Sequence, residues 1–412
     1  MKLDALRSPR YRRFWFGSIG STGASQLYFV GLSWLVFEMT GSAAYLGLLG
    51  FSMAVPTIVA TLMGGLLADR ANRGRILLLT SILAGLCLSF LTILDLTESA
   101  QIWQVLILAA FLGLISGFDL PARIAFFPSL IESSQMMSAV ALSSILWQGT
   151  RMILPAIGGL LIALVDTWLL FLLCSIGFGV MGWILIGLQT PDKPDPPEGQ
   201  DQSLGAAITF IRREKLFLVL ISITWISMFF GTSYVQIMPV FAELLGAGEK
   251  GYGYLISATG VGSVCGTLII GRFQHSPLLG RYMMGGAVLF AISLLFFAAV
   301  TGLLEGGPVA FYAACGCAIL GGIGGSCFLI SSMTVLQIAV PDALRGRVMG
   351  IHSITFSLIA LGGLVLGPIA ELLSAPTAVL FGALTLIISL IVFSARFPNL
   401  WRLNAQNSNY KI

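Results

Sequence analysis

Long apolar runs recur along the whole chain and are separated by short polar joints. A run of about 20 residues in an α-helix is about 30 Å long, which matches the hydrocarbon core of a bilayer. The pattern therefore predicts an all-α integral membrane protein with twelve transmembrane helices. The predicted spans are residues 14–38, 43–67, 76–94, 102–120, 138–163, 167–189, 216–242, 252–271, 282–301, 309–333, 348–372 and 377–396.

A polar segment, TPDKPDPPEGQDQS, interrupts this series after the sixth span. Its four Pro and four acidic residues predict a solvated linker. The halves on either side echo each other, since LPAIGGLL in the fifth span resembles LGPIAELL in the eleventh. Two six-helix pseudo-symmetric repeats are typical of a transporter. We predict an N-terminal six-helix bundle at 1–189, a linker with an amphipathic segment at 190–215, a C-terminal bundle at 216–397 and a tail at 398–412.

The composition excludes a soluble protein. Hydrophobic residues make up 57% of the 412 residues, charged residues only 10%, and the mean hydropathy is +0.94. A soluble domain carries about 25% charged residues, so the outer surface of this chain must face lipid. If the N-terminus is cytoplasmic, nearly all 22 Lys and Arg residues fall on the cytoplasmic side, except Lys250 and Arg151. The positive-inside rule then predicts cytoplasmic N- and C-termini, and the short loops suggest a bacterial inner membrane.

The joint between the second and third spans is unusually charged. It reads GGLLADRANRGR at 64–75 and resembles the corresponding loop of the major facilitator superfamily, with Gly65 and Asp69-Arg70 matching the family pattern. SWLVFEMTGSA (33–43), DLPARIAFFPSLI (119–131) and VPDALRGRVMGI (340–351) resemble the branch of enterobactin-exporter-like and macrolide-efflux-like proteins. This resemblance covers nearly the whole chain.

The resemblance implies two pseudo-symmetric bundles, alternating access, a monomer and an inner gate. In the gate, Asp69 would cap the eleventh helix, because a helix N-terminus carries about half a positive charge, and Arg73 or Arg75 would pair with Asp119. The alternative is that these residues only enforce the membrane topology. The predicted cytoplasmic gate consists of Gly65, Asp69, Arg70, Arg73, Arg75, Asp119, Arg123, Arg345 and Arg347.

Arg151 is the one basic residue predicted near the centre of the membrane. It lies about 20 Å along the fifth helix, where insertion of Arg costs about 2.5–3.5 kcal/mol. Trp147, Arg151 and Pro155 recur at i, i+4 and i+8 and share one helix face. Arg151 is therefore a candidate substrate contact or lock. The alternative is a role in assembly, with Arg151 bound to backbone carbonyls and to Gln26 or Gln148.

Three further sets of residues are candidates for transport roles. The substrate-binding candidates are Gln26, Trp34, Trp147, Gln148, Arg151, Phe229, Tyr234 and Gln236. Acids that could couple transport to protons are Glu38, Asp119 and Glu371, none of them predicted at the midplane. Candidate hinges, where Gly and Pro permit close packing and flexible kinks, are Pro155, Gly158, Gly159, Gly363, Gly367 and Pro368. Tight packing without gating is the alternative for the hinges.

The sequence favours a secondary active transporter that exports small amphipathic compounds, with the proton as expected coupling ion. An importer or uniporter on the same fold is the alternative. An integral-membrane transferase is less favoured, because no loop large enough for an active site contains a His near an acidic residue. The Gly-rich runs lie within spans and do not follow strands, so they are not nucleotide loops. We expect a small-molecule substrate and the lipid bilayer as partners, and no cofactor, metal site, nucleic acid or enzyme activity.

Overall fold

The computed structural model describes residues 4–70, 72–188, 204–273, 276–341 and 354–403, together with Leu344, Val348, Ile351 and His352. The side chains at 62, 64–70, 133 and 204–207 lie outside this description. The described residues are helical, with no strand among them. They form two compact units, of which the first comprises Met1–Gly41 and Leu48–Glu198, and the second Ser42–Gly47 and Gly199–Ile412.

The first unit opens with a short 3-10 turn at Asp4–Arg7. Ser8 then caps the first long helix by accepting a hydrogen bond from the backbone N–H of Tyr11, which satisfies one of the free donors at a helix start. The helices are α1 (Pro9–Thr40), α2 (Ala43–Arg70), α3 (Arg73–Leu96), α4 (Ile102–Phe126), α5 (Met136–Leu164) and α6 (Thr167–Ile186). Ser42 and the first residues of α2, up to Gly47, belong to the second unit.

The second unit contains a short helix followed by the later spans. Its helices are α7 (Leu204–Arg213), α8 (Lys215–Ile226), α9 (Met238–Leu244), α10 (Gly248–Phe273), α11 (Leu279–Leu303), α12 (Pro308–Ala339), α13 (Thr355–Leu372) and α14 (Ala375–Arg396). A π-helix at Ser227–Gly231 and a 3-10 helix at Thr232–Ile237 join α8 to α9. A last 3-10 turn covers Pro398–Arg402.

Eleven stretches of the described residues are long and apolar enough to cross a membrane. The first predicted span, α1, is not among them, although its 32 residues exceed the length needed. Its central stretch, GSIGSTGASQ, has Ser, Thr and Gly in place of aliphatic side chains, which lowers its hydropathy. This helix is largely buried in its unit, so it does not need a fully apolar surface. The predicted all-α membrane architecture is confirmed.

Two details of the predicted spans are wrong. The fourth helix does not end near 120 but continues through Pro121 to Phe126, because Ala122 and Phe126 are buried in a core that also contains Tyr11 and Phe14. This packing holds the helix despite the backbone hydrogen bond that Pro removes. The joint to α5 therefore shrinks to two 3-10 turns, Phe127–Leu130 and Ser133–Gln135.

The seventh predicted span is interrupted rather than continuous. Hydroxyl groups in the interruption bond to nearby carbonyls, from Ser233 Oγ to Phe229 O at 2.5 Å and from Thr232 Oγ1 to Ser227 O at 3.5 Å. Such local bonds compete with the regular helix ladder, and Pro239 then opens α9. The π-helix packs closely on α13, since a Cβ on Gly362 would lie 1.9 Å from the Phe229 carbonyl oxygen.

Glycines set the helix spacing in the first unit. A Cβ on Gly113 of α4 would lie 2.3 Å from the Met53 carbonyl oxygen of α2, and one on Gly117 would lie 2.6 Å from the Thr57 carbonyl oxygen. Small residues four apart allow helix backbones to approach in this way. The Thr57 hydroxyl also donates to the Gly113 carbonyl at 2.9 Å. This contact fixes α4, which carries the main charged pair of the unit.

Candidate functional site

A buried ion pair lies inside the first unit. Arg123 donates from Nε to Asp119 Oδ2 at 2.9 Å and from Nη2 to Asp119 Oδ1 at 3.3 Å. The two residues are four apart on α4, so their side chains meet on one face. The side chains of Arg123 and Asp119 are 10% and 19% exposed. Because a buried charge is costly without a partner, each group depends on the other.

Hydroxyl groups from two other helices complete the pair. Ser18 of α1 accepts a hydrogen bond from Arg123 Nη1 at 3.1 Å, and Thr80 of α3 donates to Asp119 Oδ1 at 3.1 Å. Both hydroxyl-bearing residues are buried. The ion pair therefore ties α1, α3 and α4 together, and any change of charge on Asp119 acts on all three helices.

A cavity adjoins each end of the pair. On the arginine side, a cavity of about 70 Å³ is bounded by α1, α4, the turn after α4, and α5. On the carboxylate side, a cavity of about 20 Å³ is lined by Asp119, Tyr28, Ser25 and Ser116, among others. A water molecule needs about 10–15 Å³, so the smaller cavity has room for one water next to the carboxylate.

The predicted pairing of Asp119 with Arg73 or Arg75 is wrong. Asp119 instead pairs with Arg123, which is one helical turn further on and reaches both carboxylate oxygens. Arg73 donates from Nη1 to the Ala125 carbonyl of α4 at 2.9 Å, and Arg75 is exposed. The contact from Arg73 still joins the start of α3 to the end of α4.

Other parts of the predicted gate fall outside the described residues. Gly65, Asp69 and Arg70 belong to the last turns of α2, whose side chains are not described, and Arg345 and Arg347 are outside the described ranges. The capping of the eleventh helix by Asp69 therefore stays a prediction. Asn72 instead provides a described cap, because its side chain accepts from the backbone N–H groups of Gly74 and Arg75.

The polar candidates of α5 are exposed to different degrees. Trp147 is 40% exposed and lines the larger cavity together with Arg123. Gln148 is half-buried, and Arg151 is exposed and makes further interactions. Pro155 lies inside α5 and is buried. The structure thus brings Trp147 to the ion pair, whereas Arg151 is not among the residues that line its cavity.

The candidates of α1 are separated from the ion pair. Gln26 is half-buried, and Trp34 is 5% exposed with its ring 5.9 Å from that of Phe37. Glu38 is exposed, near the end of α1, and makes further interactions. None of the three lines either of the two cavities.

The aromatic and amide candidates of the second unit cluster at the interrupted helix. Phe229 lies in the π-helix with its ring 4.8 Å from that of Phe230. Tyr234 and Gln236 are each 3% exposed, and the Tyr234 ring lies 5.3 Å from that of Phe297. The Gln236 side chain packs on Gly363, where an added Cβ would lie 2.9 Å from it.

Glu371 accepts hydrogen bonds at the start of α2. Its Oε2 accepts a hydrogen bond from the Ala44 backbone N–H at 3.0 Å and another from the Ser42 hydroxyl. A carboxylate at this position caps the start of α2 and interacts favourably with the helix dipole. Proton coupling through Glu371 stays a prediction.

The predicted hinge residues lie at close helix contacts. Gly367 packs against α2, since its added Cβ would lie 2.5 Å from the Ala43 carbonyl oxygen, and Pro368 lies inside α13. A Cβ added to Gly158 of α5 would lie 3.1 Å from the Leu27 side chain of α1. Gly159, beside it, is buried. These contacts agree with the tight-packing alternative, and bending at these positions stays a prediction.

Sequence reasoning missed the partners of the ion pair. Ser18 and Thr80 stand in apolar runs that contain many hydroxyl residues, so no local signal distinguishes them. No local signal identified the hydrogen bonds of Tyr11 and Trp15 either. The Tyr11 hydroxyl donates to the Ala139 carbonyl, and the Trp15 indole N–H donates to the Leu142 carbonyl. The spacing of Asp119 and Arg123 was the available signal, because opposite charges at i and i+4 on a helix attract each other.

Comparisons with known proteins agree with this architecture. A solved structure of a bacterial homologue of the human lysosomal transporter Spinster, inward-facing and unoccupied, matches with a TM-score of 0.72 over 97% of each chain at 14% identity. The staphyloferrin A transporter of Staphylococcus aureus (strain NCTC 8325 / PS 47) is 24% identical over 88% of this chain and 90% of that protein. The enterobactin exporter EntS of Shigella flexneri is 25% identical over 78% of this chain and 71% of that protein.

The helical architecture and the structural match show a helical membrane protein with the major facilitator fold. The family model described as transmembrane secretion effector matches residues 2–411. The chain therefore belongs to this family of the major facilitator superfamily, which confirms the resemblance found in the sequence. The relatives named above are described as a transporter and an exporter.

Proposed function

We propose that the protein exports small amphipathic compounds from the cytoplasm by alternating access, in exchange for protons. Two relatives are named for siderophores, as the staphyloferrin A transporter and an enterobactin exporter, which supports export of a small compound such as a siderophore. In this proposal the protein is a monomer in the bacterial inner membrane with both termini cytoplasmic. Asp69, Arg70, Arg345 and Arg347 contribute to its cytoplasmic gate.

The Asp119–Arg123 pair is the observation that carries the proposed coupling. Protonation of Asp119 removes the negative charge and leaves Arg123 buried without its counter-ion, which is strongly unfavourable. The pair also holds Ser18 of α1 and Thr80 of α3. A proton on Asp119 therefore favours a rearrangement of these three helices, and the small cavity at the carboxylate provides space for the water that would deliver it.

The proposal is tested in proteoliposomes with an imposed pH gradient. Tetraphenylphosphonium, erythromycin, 2,3-dihydroxybenzoate and citrate serve as probes for cationic, macrolide, catecholate and carboxylate substrates. We expect wild type to move at least one probe against its gradient and against the proton flux. Asp119→Asn should lose the gradient-driven transport but keep substrate exchange without a gradient, whereas Glu132→Gln, at an exposed acid between α4 and α5, should behave like wild type.

The other candidate acids are tested in the same assay. If Glu38→Gln or Glu371→Gln abolishes gradient-driven transport while Asp119→Asn retains it, the coupling group is not Asp119. Probe movement in the same direction as the protons would indicate an importer. Transport unaffected by the gradient would indicate a uniporter and refute proton coupling.

A further inference from the structure

One acceptor position of Asp119 is left open by the hydrogen bonds of the ion pair. A carboxylate has about four lone-pair positions on its two oxygens. Oδ1 accepts from the Thr80 hydroxyl and from Arg123 Nη2, and Oδ2 accepts from Arg123 Nε. Among the contacts of the described residues, Oδ2 therefore keeps a position for a further donor. Asp119 also lines the smaller cavity, which gives such a donor a place.

Hydroxyl groups from two helices line the same cavity. Tyr28 and Ser25 belong to α1, and Ser116 belongs to α4. The side chains of Tyr28 and Ser116 are hydrogen-bonded to each other. Ser25 donates to the Ser21 carbonyl at 3.0 Å, so its oxygen is left to accept. The other lining residues are apolar, namely Ala84, Leu112, Ile115 and Phe178.

The exposure of these residues shows where the cavity is reached. Ser116 is exposed and Ser25 half-buried, so the cavity opens to the surface of the unit at these residues. Tyr28 is only 6% exposed, and its bond to Ser116 extends a hydrogen-bonded path from that opening into the cavity that Asp119 lines. Ionisable side chains within a span face the bundle interior or a water-filled space, so we expect water at this opening.

The cavity suits a single water molecule better than a cation. Its volume of about 20 Å³ exceeds the 10–15 Å³ that one water needs and is too small for two. A water there can donate to Asp119 Oδ2 and accept from the Tyr28 hydroxyl, while Tyr28 accepts from Ser116. A cation such as Na⁺ would instead lie close to Arg123, which already neutralises Asp119, and would be repelled.

We propose that this cavity binds one water molecule and that Tyr28 is the relay residue through which a proton reaches Asp119. The inference rests on the proposed function, because it names the residue that supplies the coupling proton to the same carboxylate. The water gives a proton to Oδ2 and takes one from the Tyr28 hydroxyl, which takes one from Ser116, and Ser116 takes one from water at the opening. Each O–H bond that breaks is replaced by one that forms, and only Asp119 changes its charge.

The other ionisable groups near Tyr28 do not offer a competing path. They are Cys87 of α3 and Cys174 of α6, and neither lines the cavity. The Cys87 thiol points to the Leu108 carbonyl at 4.0 Å, and the Cys174 thiol to the Ala24 carbonyl at 3.4 Å. No residue of α2 or α5 is among those that line the cavity in the described part of the chain.

Infrared difference spectroscopy of the purified full-length protein in nanodiscs tests the relay. The carboxyl C=O band that appears on acidification and is missing in Asp119→Asn belongs to protonated Asp119. Tyr28→Phe should move this band to higher wavenumber, because the acid O–H loses the water that Tyr28 holds. The rate at which the band appears is measured after light releases protons from a caged acid. Tyr28→Phe should slow it at least about ten-fold, since positioned proton-transfer groups contribute about 10²–10⁴-fold.

Two further variants distinguish a relay from a structural effect. Tyr11→Phe is the matched control, because Tyr11 is also a buried tyrosine of α1 but does not line the smaller cavity. It should change neither the position of the band nor its rate. Ser116→Ala removes the hydroxyl at the opening and should slow the band without moving it. A monodisperse peak in size-exclusion chromatography confirms that each variant is folded.

The outcomes separate this inference from the proposed function. A band whose position and rate Tyr28→Phe leaves unchanged overturns the relay, even if export in proteoliposomes depends on the pH gradient and on Asp119. An equal effect of Tyr11→Phe also overturns it, because the response would then be structural. A shifted and slowed band in Tyr28→Phe alone of the two tyrosine variants supports the relay even if no probe is exported, in which case only the transport proposal fails. Absence of any band that depends on Asp119 overturns both.

Discussion

The Asp119–Arg123 pair should behave as a single energetic unit, which a double-mutant cycle can test. The variants are Asp119→Asn, Arg123→Gln and the combination of both. Each single change leaves one charge without its counter-ion, whereas the double change removes both charges and retains side chains that can donate and accept hydrogen bonds. The cycle therefore separates the interaction between the two charges from the loss of either side chain.

The burial of the pair sets the expected size of the effect. Removal of one partner from a buried ion pair costs about 3–5 kcal/mol. The Asp119 and Arg123 side chains keep 19% and 10% of their exposure. Because water still reaches the pair, we expect the lower end, about 3 kcal/mol, for each single variant. The double variant should lose only about 1 kcal/mol, because its amide groups can bond to each other, to Ser18 and to Thr80.

The free energy of unfolding is measured by titration of the purified protein with sodium dodecyl sulfate in mixed micelles, followed by tryptophan fluorescence. Arg13→Gln, a change of the same type at an exposed position of α1, is the control and should change stability by less than about 0.5 kcal/mol. The double variant should be more stable than either single variant. If the single effects add within about 0.5 kcal/mol, the two charges do not share a low-dielectric site and the reasoning is refuted.

Two further predictions concern the second unit. Glu371→Ala should lower the free energy of unfolding by up to about 1 kcal/mol, because it removes the acceptor for Ser42 and the Ala44 N–H. In the same titration, Glu371→Gln should recover part of this loss, and equal stability of all three proteins would contradict a capping role. Gly362→Ala should strongly reduce the yield of folded protein in size-exclusion chromatography, since the new Cβ would lie 1.9 Å from the Phe229 carbonyl oxygen. Gly316→Ala, where a Cβ meets no atom within 4 Å, is the matched control, and similar yields for both variants would show that α13 and the π-helix do not pack this closely.

Local sequence signals were sufficient for much of the architecture. The length and spacing of apolar runs predicted the helices, because a bilayer imposes one length on every span and requires each span to satisfy its own backbone hydrogen bonds. The loop with Asp69 and Arg70 predicted the superfamily, which the family comparison confirms. The four-residue spacing of Asp119 and Arg123 places both residues on one helix face only once the fourth helix is known to continue past 120.

Contacts between distant residues were not predictable in the same way. Sequence reasoning assigned Asp119 a partner on α3 and did not identify Ser18 of α1 and Thr80 of α3, whose hydroxyl groups bond to the Asp119–Arg123 pair. The interruption of the seventh span at Ser227–Ile237 also went unpredicted, because an apolar run reads as a continuous helix unless the local hydroxyl bonds and the glycine contact from α13 are known.

The amino-acid sequence alone is enough to establish a helical membrane protein and its superfamily. Which atoms Asp119 and Arg123 meet depends on how the helices pack. Ser18 and Thr80 come from helices far away in the chain, and they become partners of the pair because a shared apolar core, which includes Phe14, Leu77 and Phe126, brings α1, α3 and α4 together. Periodicity and length are local properties of a sequence, whereas the surroundings of a buried group depend on which helix faces pack against each other.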